Sequence, residues 1–247
     1  MEVDGSNNNS PRYDFSNKVV LITGGTGALG RFITKAFLAS NATTIATYII
    51  EEEMDYLKSE TKTAAVELIR ADVTKDEEVK KLISKVTEKH NRIDILVNVV
   101  GGYLGGKSIS KLEEQEWDFM MNLNLKSAFL ISKHVIPIMA SAKYGKMVHV
   151  SSRTALKSDG YDSVYAASKS GLIRLVESVS GEVKELNINV NCIMPSIIDT
   201  EANRKAMPKS DFSKWIKPED LANVVLFLCS EDAKVINGAA IPTYGLS

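Results

Sequence analysis

Near the N-terminus, Thr23-Gly24-Gly25-Thr26-Gly27-Ala28-Leu29-Gly30 joins an apolar, β-branched run, Lys18–Thr23, to a segment with apolar residues at helical spacing: Phe32, Ile33, Ala36 and Phe37. The glycines Gly25, Gly27 and Gly30 make G-x-G-x-x-G. Glycine permits the tight turn and lets backbone amides approach a pyrophosphate with no Cβ in the way. The helix that follows begins with unpaired N–H groups and a partial positive charge. The bare pattern is a weak signal; its position between a strand and a helix gives it weight.

The rest of the chain repeats that alternation. Strand runs are predicted at 18–23, 43–50, 64–69, 93–100, 146–151, 187–193 and 239–241. Helical patterns fall at 31–40, 74–90, 112–140, 164–186 and 218–230, with Pro137 marking a late kink or stop and Pro218 opening the last helix. Such alternation predicts a Rossmann-type, doubly wound α/β fold: a parallel sheet of about seven strands with helices on both faces. Residues 1–16 are polar and read as a loosely ordered tail, and 17–247 as a single domain for dinucleotide binding and catalysis. Ligands of such sheets bind beyond the carboxyl ends of the strands. The chemistry is therefore expected near 23–30, 48–51, 72–74, 98–106, 151–165 and 195–200.

Composition narrows the function classes. Thirty Lys and Arg balance 31 Asp and Glu, so the net charge of −1 points to neither a nucleic-acid nor a membrane surface. No apolar run is long enough to span a bilayer, and the first residues lack the apolar segment of a secretory signal; the expected location is cytoplasmic. Cys192 and Cys229 read as two small buried hydrophobes. His90, His134 and His149 have no second ligand type at metal-site spacing, so no metal is expected, and His149 reads as a half-buried strand residue.

Tyr165 and Lys169 stand four residues apart in a predicted helix and so share a face. A phenol loses its proton near pH ~10, and a neighbouring ammonium favours the phenolate. Such a tyrosine can exchange a proton with a carbonyl or alcohol while a nicotinamide exchanges hydride.

With these residues the chain resembles the short-chain dehydrogenase/reductase family, in its compact single-domain branch. The family's T-G-x-x-x-G-x-G is matched at Thr23, Gly24 and Gly30, with Ala28 at the middle glycine position. The resemblance implies a catalytic serine thirteen residues before the tyrosine, which is Ser152, with Ser151 the weaker choice. It implies a fourth member, Asn124 in Asn124-Leu125-Lys126-Ser127, holding a water that links to the lysine. Asp72 and Val73 would contact the adenine. Asn98 and Gly101 stand where N-A-A-G is usual, and Pro195, Ile198 and Thr200 fall in the segment that holds the nicotinamide carboxamide, with Ser196 in place of a glycine. The implied activity is NAD(P)-dependent oxidoreduction of a carbonyl or alcohol, of the 3-oxoacyl reductase type by analogy, in a homotetramer or dimer.

The cofactor is NAD or NADP. A carboxylate at the end of the second strand would bond the ribose 2′-hydroxyl, but Tyr48 stands there. Glu51-Glu52-Glu53 follow; if Glu51 reaches back, NAD is selected, and if it does not, Tyr48 lies near the adenosine and NADP is permitted. On the substrate side, Tyr103, Arg153 and Arg204 are candidates, with 201–217 as a mobile lid.

Two rival functions remain at this level. Gly101–Ser108 fits the P-loop pattern G-x-x-x-x-G-K-S, but the helix signal comes later, at the Ser110-x-x-Glu113 capping box. A non-catalytic dinucleotide-binding regulator is the other; a sensor has no need of Ser152, Tyr165, Lys169 and Asn124 together.

Overall fold

A computed structural model describes residues 12–61 and 66–246. Its strands are β1 (Val19–Thr23), β2 (Thr43–Tyr48), β3 (Val66–Arg70), β4 (Ile95–Asn98), β5 (Gly145–Val150), β6 (Ile188–Pro195) and β7 (Ala240–Thr243). They form one sheet in the order β3-β2-β1-β4-β5-β6-β7, every pair parallel. The chain reverses direction of growth between β1 and β4, which opens a crevice at their carboxyl ends. β1, β4, β5 and β6 are buried along their whole length, as near-continuous apolar runs in a doubly covered sheet require.

Helices α3 (Asp76–His90), α5 (Ser127–Ala142) and α6 (Ser163–Val183) cover one face. Helices α1 (Gly30–Ala39) and α8 (Pro218–Cys229) pack together on the other. The remaining helices are α2 (Glu51–Thr61), α4 (Glu114–Met121) and α7 (Glu201–Ala206). Each apolar stripe faces the sheet: Val79, Leu82, Ile83 and Val86 on α3, and Leu221, Val225, Leu226 and Leu228 on α8. Every fully buried Val, Leu or Ile contributes roughly 1.5–3 kcal/mol, so both layers carry the fold. Leu172 and Val176 on α6 belong to this core.

Several expectations change. Residues 1–11 of the expected tail lie outside the described residues, but Phe15 is buried against Phe37, ring centroids 5.1 Å apart. Its backbone N–H donates to the Ser40 carbonyl, because a large aromatic beside the α1–β2 turn has an apolar cleft to fill. The stretch 112–140 is two helices joined by a π-helical turn at Asn122–Lys126, and Pro137 neither stops nor ends α5, which runs on to Ala142. The α4 capping box is Glu113 with Glu116, not Ser110 with Glu113; a short 3₁₀ turn, Ile109–Lys111, occupies the expected start. The segment 195–217 contains α7, capped by the Thr200 hydroxyl, so it is not irregular throughout. His149 is fully buried and not half-buried, because β5 is covered on both faces.

No helix among the described residues is long and apolar enough to cross a membrane.

Candidate active site

Thr47 on β2 holds the glycine turn. Its hydroxyl accepts from Gly24 N–H at 3.0 Å and its carbonyl from Gly25 N–H at 3.1 Å. Gly24 has φ +66°, a backbone region where a Cβ is strained. The glycines differ in what they permit. A Cβ on Gly30 would stand 2.0 Å from the Gly24 carbonyl oxygen, and one on Gly25 2.7 Å from the Ala46 methyl. A Cβ on Gly27 would meet nothing nearer than 3.6 Å. Gly25 and Gly30 thus close the turn, whereas Gly27 leaves its surface open. Ala28 follows that open residue, and Leu29 precedes α1 as a buried N-cap that offers no side-chain hydrogen bond. The uncapped N-terminus of α1 together with the bare Gly27 fits a pyrophosphate.

Tyr165 lies in the first turn of α6, and Ser152 follows β5. The Ser152 hydroxyl accepts from Thr154 N–H at 3.2 Å and lies close enough to the Tyr165 phenol to favour its ionised form. Ser151 points the other way, donating to the Lys169 carbonyl at 3.0 Å, which makes Ser152 the serine that faces the tyrosine. Burial pushes the Tyr165 phenol above its usual range; Ser152 opposes this and Asp162 adds to it. Without a cofactor, desolvation is the largest influence on the phenol, and Lys169 is engaged elsewhere. Its Nζ donates to the Val150 carbonyl at 2.8 Å, and burial pulls its own pKa down to about 8.

Asn124 is fully buried in the π-helical turn. Its Oδ1 accepts from Gly102 N–H at 2.9 Å, and its Nδ2 donates to the Gly102 carbonyl at 3.1 Å and to Ser168 Oγ at 3.0 Å. Ser168 in turn donates to the Tyr165 carbonyl at 2.8 Å. A single side chain therefore locks the β4 exit loop and α6 in register, a common use of a π bulge. Ser168 went unremarked in the sequence, where a serine one place before the lysine carries no pattern. Asn124 Oδ1 and Lys169 Nζ each lie 2.9 Å from the point where a Gly101 Cβ would stand, so both flank the space beside that glycine.

Asn98, expected at the cofactor, is buried, bonding Thr23 Oγ1 and lying 3.4 Å from His149 Nδ1. It ties the ends of β1, β4 and β5 together, and Thr23 likewise serves the strand ends. Asp72 accepts from Thr74 N–H at 3.1 Å and pairs with Lys75 at 3.1 Å, and Val73 is buried, so these two residues build the turn after β3. Pro195 closes β6, Ile198 pairs with Ile216, and Thr200 accepts from Asn203 N–H at 3.2 Å. Tyr48 is half-buried at the end of β2. Glu51 does not reach back: it faces Arg70 at 3.8 Å. Glu53 does, accepting from Thr26 Oγ1 at 3.3 Å and standing 3.7 Å from the Cβ position of Gly27.

On the substrate side, Tyr103 meets Tyr165 edge to face, ring centroids 5.0 Å apart, and donates to Asp162 Oδ1 at 2.8 Å. Arg204 is committed to Asp199 through two of its three nitrogens, Nε and Nη2, the latter at 2.7 Å, and stacks on Phe212. Arg153 is exposed, 5.9 Å from the Tyr244 ring. The P-loop pattern at 101–108 does not form a phosphate cradle, since Lys107 pairs with Glu116 and the next α-helix starts at Glu114. Both cysteines are buried, and burial pushes the Cys192 thiol up to about 12. Among the described residues, no three His, Cys, Asp or Glu side chains cluster as a metal site would need.

A family model described as short chain dehydrogenase matches residues 18–211. The 3-oxoacyl-[acyl-carrier-protein] reductase of Thermotoga maritima is 32% identical over 234 residues, covering 91% of this chain and 95% of that protein. Dehydrogenase/reductase SDR family member 6 of Aquarana catesbeiana is 32% identical over 238 residues, 90% of this chain and 94% of that one. Among solved structures, ElxO with NADP bound superimposes with a TM-score of 0.86 at 26% identity, covering 92% of this chain and 97% of the other.

Proposed function

This chain belongs to the short-chain dehydrogenase family and is an NAD(P)-dependent oxidoreductase, and we propose that it reduces a ketone with Tyr165 as the proton donor. The observation that carries this reading is the convergence of Ser152 at the end of β5 with Tyr165 and Lys169 one turn apart on α6, Lys169 Nζ donating to the Val150 carbonyl at 2.8 Å. A phenol so placed can give its proton to a carbonyl oxygen as hydride arrives at the carbon.

When bound, the nicotinamide supplies the hydride. The chain's own residues do the rest. The uncapped α1 N-terminus and Gly27 would hold the pyrophosphate, and Ile198 and Thr200 would hold the nicotinamide carboxamide. Tyr165 Oη gives its proton to the substrate oxygen, and the Ser152 hydroxyl donates a hydrogen bond to the same oxygen as charge develops there. Lys169 Nζ, with its lowered pKa, holds a proton that it can release near neutral pH, and Asn124 borders the same space as a relay partner. Asn124 also positions Gly102 and α6. Because the Thermotoga maritima relative is a 3-oxoacyl reductase, a 3-oxoacyl thioester is the first ketone to try.

The test is loss of NAD(P)H absorbance over a carbonyl panel, comparing the wild type with Tyr165→Phe. Turnover should collapse in the variant; equal turnover in both would sink the assignment.

The reading extends to assembly in a homotetramer or dimer. Trp117 and Phe119 on α4 and Phe129 on α5 are exposed apolar side chains on the pair of helices that carries Asn124. Light scattering checks this, and a monomer at micromolar concentration would refute it.

A further inference from the structure

Two loops meet across the mouth of the site. The Tyr103 side chain is 65% exposed, yet its phenol is anchored on Asp162 and its ring lies edge-on to Tyr165. One residue pair further along, Gly106 N–H donates to the Tyr161 carbonyl at 2.9 Å. The backbone is shaped for this closure: Gly106, Gly160 and Tyr161 all have positive φ, at +83°, +103° and +60°. Gly105 is what lets the side chains meet. A Cβ there would stand 2.2 Å from both Asp162 Oδ1 and Tyr103 Oη, inside the hydrogen bond itself.

We propose that Tyr103 and Asp162 form a clasp that a substrate must displace to reach Tyr165, and that the clasp selects ketones flanked by uncharged groups over 2-oxo acids. This rests on the carbonyl-reductase reading above. The phenol that meets Asp162 brings no cation to it, so its carboxylate opposes a second carboxylate approaching beside the carbonyl. Asp199 occupies Arg204, so that arginine does not offset the charge. The Tyr103 hydroxyl donates to Asp162 Oδ1 at 2.8 Å, so the carboxylate holds the phenol in the clasp. A closed clasp lowers the fraction of molecules open to substrate and raises the apparent dissociation constant in proportion.

Tyr103→Phe removes the hydroxyl and keeps the ring; Gly105→Ala wedges the pair apart and keeps both partners; Asp162→Asn removes the charge. Two readouts apply. Hydrogen exchange at the Gly106 amide, with no substrate present, should quicken at least tenfold in Tyr103→Phe and Gly105→Ala. With an uncharged cyclic ketone, KM should fall three- to tenfold in both variants, by more than kcat changes. With a 2-oxo acid of similar size, Asp162→Asn should raise kcat/KM about tenfold relative to its effect on the uncharged ketone. The proposal is overturned if the Gly106 amide exchanges as in the wild type and KM does not fall in either clasp variant, or if Asp162→Asn treats both ketones alike. If the wild type reduces no ketone at all, the parent reading fails, while amide exchange still reports whether the clasp exists.

Discussion

The Lys169 ammonium donates to the Val150 carbonyl at 2.8 Å, which pins it to the carboxyl end of β5 one helical turn from Tyr165. The charge is placed by α6 and β5 together, in a site dry enough to bring its pKa to about 8. Replacing Lys169 with Met should lower kcat/KM by about 10²–10⁴, and Tyr165→Phe by a similar factor. Single-turnover kinetics with cofactor and ketone preloaded separates these losses from binding. A change below fivefold in either variant would remove that residue from the proton route.

Glu53 should favour NAD. Its carboxylate stands beside Thr26 and Gly27, and a 2′-phosphate brought near that part of the turn would meet like charge. Fluorescence titration should show tighter binding of NADH than NADPH by the wild type. Glu53→Gln should narrow that ratio about tenfold, since the group is partly solvated and its charge is screened. Wild type that prefers NADPH contradicts this.

Gly30→Ala should abolish dinucleotide binding, because its Cβ would collide with the Gly24 carbonyl and unmake the turn. Gly27→Ala should leave the fold and its melting temperature unchanged and weaken only the cofactor, since its Cβ meets no protein atom within 3.4 Å. Melting curves with and without NADH distinguish the two.

His149 should make the protein acid-sensitive. Burial lowers its folded pKa from 6.5 to about 4, with Lys169 adding to the shift. Between those values the unfolded chain binds a proton that the folded chain does not. The stability present above pH ~6.5 is therefore lost as pH falls towards ~4, by about 3 kcal/mol. Urea midpoints measured across that window should fall less steeply in His149→Gln, which keeps a polar side chain between Asn98 and Ser132.

Much of this was legible in the residues. The alternation of strand and helix runs determined the doubly wound sheet, because local apolar periodicity sets which elements form and which faces they bury. The four-residue spacing of Tyr165 and Lys169 placed both on one face of a helix, and a glycine turn after a strand placed a phosphate cradle at the helix end. Family spacing singled out Ser152 over Ser151, and the hydroxyl directions agree with it. Other relations join residues far apart in sequence, and no local period encodes them. That Glu53 and not Glu51 turns towards Thr26 depends on where α2 begins. That Asn98 serves the sheet, and Arg204 serves Asp199, depends on which partners lie within hydrogen-bond reach after packing. How far Tyr165 and Lys169 are withdrawn from water was not legible from their spacing, because the cost of removing a charge from water depends on burial, and only the closed tertiary structure determines burial.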